Sequence, residues 1–596
     1  MIREVDTDWK WGLLAAAALT LLALYPQIYL VVKEGRSWAG AYAYFDTDEV
    51  AYSSYLNALV QGRPRRSDPY SGKYDELANP LPESLFSVQF LPPYLLAIPA
   101  RALGISASTI FIILMPLAAF LSALAVFWLI AATTGDSRVA TAGAIAVLCL
   151  GTLISGQGQI GAWLGEKHGW SYLPFLRRYI PAVPFPFFIL LFVLRWKSLY
   201  ATGKTFWLQT GACAAIVVFL NFSYFYLWTS AIAWLACFSV VWLIARPQGW
   251  RRLVLSNSII GLVVIMSAIP YFILLSNRST STDQIQALVY TRLPDLFRPS
   301  ELLAIACLIL IAILIVKRKL SPKENQVLFA VSFLLLPVVV FNQQVFTGRS
   351  LQPFHYEEFV TTYAVLIAVF ILCGVLGRKE GRFAVLLSPR VLFWIGVISF
   401  AYGANGASGI SRAALDDNIL RDKSIAVAKQ LEELDPSHKG IVMPLNLRQG
   451  EVLPTIGSHP VLWAVHMPVF PGNSEDELTE RFFFYVYYCG VSPDALLKIL
   501  NSGDSAVLSA LFGPNRAAPH LAMNSTPVSQ NEIETAVARY SKLSAHFEKQ
   551  HAEKYLLAFL VVDKTMPFDS ANIDKWYERD HGYEVGDFII YGLKIR

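Results

Sequence analysis

The sequence predicts a mainly α-helical polytopic membrane protein, with about eleven transmembrane helices and a C-terminal extracytoplasmic α/β domain. The 596-residue chain is 55% hydrophobic and only 16% charged, against about 25% charged residues in a typical soluble domain. Its apolar residues are concentrated in long uncharged runs, as membrane-spanning helices require. From about residue 405 these runs become short and charges become frequent, so we divide the chain into a membrane region, 1–404, and an external domain, 405–596.

Eleven uncharged runs are the candidate membrane spans. The first, 11–32, would be about 33 Å long as a helix, and no small-residue cleavage site follows it, so we expect a retained span and not a signal peptide. The others are 108–132, 139–155, 180–194, 206–222, 224–245, 253–275, 302–316, 327–341, 359–376 and 391–404. The apolar run 90–103 is short and contains Pro92, Pro93 and Pro99, which indicates a helix lying along the membrane surface.

Short basic connections predict the orientation. With 90–103 left out of the spans, the basic loops fall on one side of the membrane, which the positive-inside rule makes cytoplasmic. They contain Arg195, Lys197, Lys204, Arg246, Arg251, Arg252, Lys317, Arg318, Lys319, Lys323, Arg378, Lys379 and Arg382. The N-terminus is then cytoplasmic and the C-terminal domain extracytoplasmic. The longer loops 33–107, 156–179, 276–301 and 342–358 lie outside, where we expect the chemistry.

The external domain shows strand and helix patterns but no catalytic motif. Strands are predicted at 440–444, 555–562 and 588–595, and helices at 424–434, 494–500 and 533–550. The whole chain lacks a Gly-rich phosphate loop, a CxxC pair and a His/Cys metal spacing, and its six cysteines form no disulfide framework. Its net charge of +5 is too small to indicate a nucleic-acid partner.

Three carboxylates, Asp46, Asp48 and Glu49, follow the first span directly. Carboxylates at a membrane edge are costly unless they have a role, which favours a functional site. The structural alternative is a solvated acidic turn in which Asp48 caps a helix over 50–60. On spacing alone, the residues do not decide between the two.

An acidic pair followed by an aromatic residue, in Asp48-Glu49-Val50-Ala51-Tyr52, resembles the first extracytoplasmic loop of GT-C glycosyltransferases. These polytopic enzymes use polyprenyl-phosphate-linked sugars and include protein mannosyltransferases and aminoarabinose transferases. Downstream, Leu91-Pro92-Pro93-Tyr94-Leu95-Leu96 followed by Leu103-Gly104 resembles their Pro-Pro segment, which lies along the membrane. The resemblance covers the order of parts over roughly 10–400 and is specific in the first hundred residues.

The resemblance implies an inverting sugar transfer with Asp48 as the catalytic base, which takes a proton from the acceptor nucleophile. Glu49 would position the acceptor or tune Asp48, while Asp46 is an extra acid and Tyr52 a further candidate. No cofactor is certain. A divalent cation, Mg²⁺ or Mn²⁺, is left open at Asp46 or Asp48, because one short acidic cluster is a weak metal signal.

The external loop 342–358 supplies candidates for binding the donor, because a cation beside the leaving phosphate stabilises the charge that develops there. The candidates for the phosphate are Arg349 and His355, and those for the sugar hydroxyls are Asn342, Gln343 and Gln352. Glu357 is a further candidate. The structural alternative is an ordered loop in which Glu357 and Glu358 cap the next helix.

The loop 156–179 ends in Arg177 and Arg178 beside aromatic residues. Such a pair commonly anchors a helix in lipid headgroups. Here the arginines lie on the predicted external side, against the usual bias, so they are also candidates for the donor phosphate. Glu166 and His168 of the same loop are weaker candidates.

The sequence thus predicts a multi-pass inner-membrane glycosyltransferase that uses a polyprenyl-phosphate sugar and a glycan, lipid or protein acceptor. One alternative is an O-antigen ligase or polymerase, which would not need Asp48 and Glu49. A second is a flippase or transporter, for which ionisable groups near the bilayer midplane or paired broken helices would be expected. A receptor or scaffold built on the C-terminal domain would leave the charged external loops unexplained.

Overall fold

The computed structural model describes residues 7–155, 172–279, 283, 288–378, 382–470, 472–517 and 526–596. Within these residues, ten helices are long and apolar enough to cross a membrane. They are Trp9–Ser37, Ala107–Thr134, Tyr179–Ser198, Gly203–Asn221, Phe225–Ala245, Trp250–Ser276, Pro299–Val316, Asn325–Thr347, Phe354–Gly377 and Pro389–Ala413. The predicted polytopic α-helical architecture is confirmed.

The remaining predicted span, 139–155, is broken in the structure. Its helix Ser137–Cys149 has 13 residues, and the short helix Gly151–Ile154 follows after Leu150. Thirteen residues rise only about 20 Å, so the first helix by itself is shorter than a bilayer core. It is nevertheless deeply buried from Val139 to Cys149, because neighbouring helices surround it.

The helices differ in how much of their surface the protein covers. Phe354–Gly377 is buried along almost its whole length and lies at the centre of the bundle. Trp250–Ser276 and Pro299–Val316 leave many of their apolar side chains exposed, as helices facing lipid do. The core between helices is rich in aromatic rings. For example, the Trp234 ring centroid lies 4.5 Å from that of Phe192.

The proline-containing run forms the helix Leu91–Leu103, with prolines in its first turn and Gly104 in the left-handed conformation at its end. It is too short to be a span, in agreement with the expectation. Ala97 and Ala100 face the protein, whereas Leu95 and Ile98 are exposed. This apolar exposed face fits the predicted position along the membrane surface.

Two loops at the same end of the bundle are joined by strands that the sequence did not predict. Strand β1, Leu288–Tyr290, pairs antiparallel with strand β2, Arg349–Leu351. Each strand has only three residues, which is too short for an alternating pattern to be recognised.

The C-terminal domain contains a five-stranded sheet flanked by helices. Its strands are β3 (Ile441–Pro444), β4 (Leu557–Asp563), β5 (Tyr577–Arg579), β6 (Tyr583–Val585) and β7 (Phe588–Ile595). They run in the order β3-β4-β7-β5, with β6 also on β7; β3 is parallel to β4, and the other pairs are antiparallel. Its helices are Leu415–Leu434, Leu447–Ile456, Glu475–Tyr488, Pro493–Asn501, Ser505–Phe512, Gln530–Ala545 and Lys549–Lys554. All three predicted strands are present, as are the predicted helices 424–434 and 494–500, whereas the predicted helix 533–550 is divided into Gln530–Ala545 and Lys549–Lys554.

Helices join the C-terminal domain directly to the membrane region. The last span continues past residue 404 to Ala413, and the helix Leu415–Leu434 follows at once. The domain also packs on the loop 33–107, where buried Asn57 donates hydrogen bonds to the carbonyls of Pro454 (3.1 Å) and Gly457 (2.9 Å). Lys73 and Glu477 pair at 2.6 Å across the same interface.

Candidate functional site

The irregular segment 38–45 connects the first span to the acidic turn, and three polar side chains hold its backbone. Gln27 binds it through both amide atoms, at 3.1 and 2.9 Å. Asp422 accepts two of its N–H groups, at 2.7 and 2.9 Å. Asn418 makes a reciprocal pair of hydrogen bonds with the backbone of Tyr44, at 3.0 and 2.9 Å. The turn that follows is therefore fixed by both the first span and the C-terminal domain.

The acidic turn leads into the helix Glu49–Val60. Asp46 accepts the backbone N–H of Asp48 at 3.0 Å, which closes the turn. Asp48 occupies the position before the helix, but its side chain makes no capping hydrogen bond. The Asp48 carboxylate therefore does not cap the helix, because it binds two arginines instead.

Arg177 and Arg178 converge on the acidic turn. Arg177 reaches three carboxylates: its Nε is 2.8 Å from Asp46 Oδ2, its Nη2 is 2.9 Å from Asp48 Oδ2, and its Nη1 is 3.6 Å from Glu358 Oε2. Arg178 Nη1 donates to the same Asp48 oxygen at 2.9 Å. The structure thus brings together Asp46, Asp48, Arg177 and Arg178, which the sequence had singled out in two separate loops.

The arginines are fixed, whereas Asp48 is open. Arg178 donates from Nε to the carbonyl of Ile180 at 3.0 Å, and its guanidinium lies 4.2 Å from the ring centroid of Tyr52. The side chains of Arg177 and Arg178 are 17% and 4% exposed, against 44% for Asp48. A ligand arriving from outside would therefore meet the carboxylate first and the arginines behind it.

His466, from the C-terminal domain, completes the cluster and was not anticipated from the sequence. Its Nδ1 is 2.5 Å from Glu451 Oε2, and its backbone N–H donates to Glu451 Oε1 at 3.0 Å. Its Nε2 faces Asp48 Oδ1 at 3.9 Å. No motif in the sequence marks either residue, because only the docking of the domain brings them to the acidic turn.

The charges of this cluster reinforce one another. Partial burial would raise the pKa of Asp48, but Arg177, His466 and Arg178 outweigh it and hold that pKa well below its usual range. Burial would lower the pKa of His466, but Glu451 and Asp48 raise it to about 10. At neutral pH the site therefore contains an ionised Asp48 and a protonated His466.

Glu49 lies on the buried side of the turn. It is fully buried, and neither of its carboxylate oxygens has a hydrogen-bond partner among the described residues. Its pKa is raised well above the usual range, first by burial and then by the charge of Asp46, with Arg421 opposing. The surroundings of Glu49 thus favour its protonated form, and its suggested action on the acceptor or on Asp48 stays a prediction.

The residues of the loop 342–351 that are candidates for donor binding mainly stabilise the loop itself. Asn342 accepts a backbone N–H from the neighbouring loop at 3.1 Å, and Gln343 donates to the carbonyl of Arg349 at 3.0 Å. The exposed Arg349 guanidinium lies 5.6 Å from the ring centroid of Tyr290. Gln352 follows with a positive φ of 34°. Their roles in donor binding stay predictions.

His355 lies closer to the arginines. It is buried, with its ring centroid 4.8 Å from that of Tyr226, and its Nδ1 has no hydrogen-bond partner in the part of the chain that the structure describes. It is within electrostatic reach of Arg177 and Arg178. His355 thus lines the inner side of the same cluster, where its binding of the phosphate stays a prediction.

Glu357 and Glu358 are neighbours with different partners. Glu357 accepts from the Ser300 hydroxyl at 3.2 Å and from Arg298 at 3.3 Å, so it anchors the start of the helix Pro299–Val316. Glu358 instead points to Arg177 and joins the acidic cluster, although sequence reasoning treated it only as a helix cap.

Two of the predicted site residues, Glu166 and His168, lie outside the described residues. In the ranges that the structure describes, no group of three or more His, Cys, Asp or Glu side chains could hold a metal ion. Asp46 and Asp48, the residues left open for Mg²⁺ or Mn²⁺, each have an oxygen paired with Arg177.

Comparison with known proteins gives similar solved structures but no match by sequence. No protein-family profile matches the chain, and no curated protein matches it. Among solved structures, the chain is similar to the crystal structure of ArnT from Cupriavidus metallidurans bound to undecaprenyl phosphate. The two chains are 14% identical, the match covers 98% of each, and the TM-score is 0.38. We transfer no residue role and no activity from this similarity.

Proposed function

We propose that the chain is a GT-C-type glycosyltransferase that moves a sugar from a polyprenyl-phosphate donor to an acceptor outside the membrane. The observation that carries the proposal is the open carboxylate of Asp48 in contact with the fixed arginines Arg177 and Arg178. An inverting transfer from a lipid phosphate needs a base for the acceptor and cations for the leaving phosphate, side by side. The proposed setting is the inner membrane, with the N-terminus cytoplasmic and the domain 405–596 outside.

The reaction is a single displacement. The acceptor nucleophile attacks the anomeric carbon while its proton passes to Asp48, and the bond from that carbon to the phosphate oxygen breaks. The electron pair of this bond stays on the phosphate, whose charge Arg177 and Arg178 stabilise. The configuration at the anomeric carbon is inverted because the acceptor enters opposite the leaving group.

The same arginines explain how Asp48 becomes basic only when the donor is present. In the free site they hold the pKa of Asp48 low, so the carboxylate is a weak base. The donor phosphate is a diester with one negative charge and several acceptor oxygens, and it competes with the carboxylate for the same N–H groups. When it takes over Arg177 and Arg178, the pKa of Asp48 rises, and proton transfer from the acceptor becomes more favourable.

The test is sugar transfer by the purified protein in liposomes, with polyprenyl-phosphate sugars as donors. Asp48→Asn keeps the size of the side chain but removes the base, and we expect kcat to fall about 10²–10⁴-fold. Asp476→Asn is the matched control, since Asp476 is an exposed partner of Arg539 far along the C-terminal domain. Full turnover by a folded Asp48→Asn protein would refute the assignment of the base.

The same vesicles separate the alternatives. An O-antigen ligase or polymerase would join glycans with Asp48 replaced, because its mechanism does not depend on that carboxylate. A flippase would move the lipid-linked sugar across the bilayer without forming a glycosidic bond.

A further inference from the structure

We propose that the acceptor is a hydroxyl compound whose oxygen binds between Asp48 and His466, so that the C-terminal domain completes the reaction site. This inference rests on the proposed function and adds the chemical class of the acceptor. The geometry of His466 is the observation behind it. Nothing in the transfer mechanism itself requires a residue from this domain.

His466 is held too firmly to be a chance neighbour of Asp48. Glu451 binds both its backbone N–H and its ring Nδ1, which fixes the ring with Nε2 directed at the acidic turn. Glu451 belongs to the helix Leu447–Ile456, which Asn57 ties to the helix that begins directly after Asp48. The two sides of the gap are therefore parts of one rigid unit.

Asp48 Oδ1 and His466 Nε2 face each other, and neither takes part in the hydrogen bonds to the arginines or to Glu451. Arg177 and Arg178 both bind Oδ2 of Asp48, and the 3.9 Å between Oδ1 and His466 Nε2 is longer than a hydrogen bond. Among the described residues, neither atom makes a hydrogen bond. Because 3.9 Å is less than twice a hydrogen bond of about 2.8 Å, an oxygen can lie within hydrogen-bond distance of both.

This arrangement selects a hydroxyl. A hydroxyl group can donate its one hydrogen to Asp48 and accept a hydrogen bond from protonated His466 at the same time. An ammonium group and an amide nitrogen cannot accept from His466, so either would face its N–H without compensation. In the reaction the hydroxyl proton passes to Asp48 and the oxygen bonds to the anomeric carbon, while His466 keeps its proton and Glu451 balances its charge.

The first experiment replaces His466 in the full chain and measures transfer to a hydroxyl acceptor, with the acceptor and donor KM determined separately. His466→Ala should raise the acceptor KM about tenfold or more and leave the donor KM unchanged, since it removes a hydrogen bond from a charged donor. His466→Gln retains an N–H donor and should recover part of the loss. His581→Gln, at an exposed histidine of the same domain, is the control and should behave as wild type.

A second measurement distinguishes an effect on acceptor binding from effects on folding or on donor binding. Each variant is titrated with a C55 polyprenyl phosphate alone, and its thermal unfolding is recorded. Equal phosphate affinity and equal unfolding temperature in His466→Gln, together with a raised acceptor KM, support the proposal. An unchanged acceptor KM in folded His466→Ala, or equal transfer to amine and hydroxyl acceptors, overturns it while the proposed function stands. Absence of transfer by the wild-type protein overturns both.

Discussion

At the scale of single residues, the ion pairs of the cluster indicate that Asp48 is the carboxylate that a phosphate can replace as the partner of Arg177 and Arg178. Burying arginines is costly unless each has a carboxylate partner, and here Arg177 is shared by Asp46, Asp48 and Glu358. Asp46 and Glu358 would remain paired with Arg177 if Asp48 were displaced. Asp48 is also the most exposed of the three. An incoming phosphate can therefore replace it without leaving a buried cation alone.

The pKa of Glu49 leads to a prediction about stability and pH. A carboxyl whose pKa is raised by folding contributes stability that is present below its unfolded pKa, about 4.3, and is lost as pH rises towards the folded value. Glu49→Gln removes this dependence and keeps the shape. We expect the unfolding temperature of the variant to exceed that of wild type by more at pH 8 than at pH 5.

Thermal unfolding in detergent, followed by tryptophan fluorescence between pH 5 and pH 8, measures this difference. Glu76→Gln, at an exposed position of the same loop, is the control for the loss of a carboxylate and should show no pH-dependent difference. If Glu49→Gln became less stable than wild type as the pH rose, Glu49 would have to be ionised in the folded protein.

At the scale of elements, the site depends on a segment without regular secondary structure. Residues 38–45 have no helical or strand hydrogen bonds of their own, so Gln27, Asn418 and Asp422 bind their backbone instead. Unpaired backbone groups in such a buried segment would be costly. Asn418 and Asp422 belong to the helix Leu415–Leu434, so the C-terminal domain shapes the acidic turn from this side as well.

Asp422→Asn tests this dependence. The carboxylate accepts two N–H groups, whereas an amide offers one oxygen and turns its NH₂ group towards the second N–H. We expect a loss of about 1–3 kcal/mol in the free energy of unfolding and a fall in transfer activity, although Asp422 touches none of the reacting groups. Asp416→Asn, an unburied position at the start of the same helix, should leave both unchanged. Wild-type behaviour of Asp422→Asn would mean that the segment is held without it.

At the scale of the whole molecule, the sequence predicted the parts of the fold better than it predicted the site. Long uncharged runs and short strands are local patterns, so the spans and strands β3, β4 and β7 could be placed. Arg177 and Arg178 stood out because they oppose the positive-inside bias. Glu451 and His466 have no such signal, since their role arises only where two distant parts of the chain pack together.

The orientation of site residues was also beyond local patterns. Asp48 and Glu49 are adjacent in sequence, yet Asp48 is open and has a lowered pKa, whereas Glu49 is buried and has a raised pKa. The helix Glu49–Val60 decides this, because its first residue is buried whereas Asp48 lies just before the helix begins. The sequence indicates the acidic turn, but it does not show which of the two carboxylates is exposed and which is buried.

The last prediction concerns the interface that joins the two halves of the protein. Asn57 is buried there and donates two hydrogen bonds to the carbonyls of Pro454 and Gly457. Asn57→Ala leaves both carbonyls without this donor, which should lower the free energy of unfolding by about 1–3 kcal/mol. Because the same contact joins the helix that follows Asp48 to the helix that carries Glu451, the partner of His466, we expect transfer activity to fall as well.

Limited proteolysis and hydrogen exchange of the C-terminal domain, measured beside transfer activity, follow this change. Gln61→Ala is the matched control: Gln61 donates to the same Gly457 carbonyl, but at 3.3 Å and from an exposed position. It should alter stability by less than about 0.5 kcal/mol. If Asn57→Ala loosened the domain but left the acceptor KM unchanged, the domain would be a structural support and His466 would not bind the acceptor. A raised acceptor KM together with faster exchange would tie domain docking directly to acceptor binding.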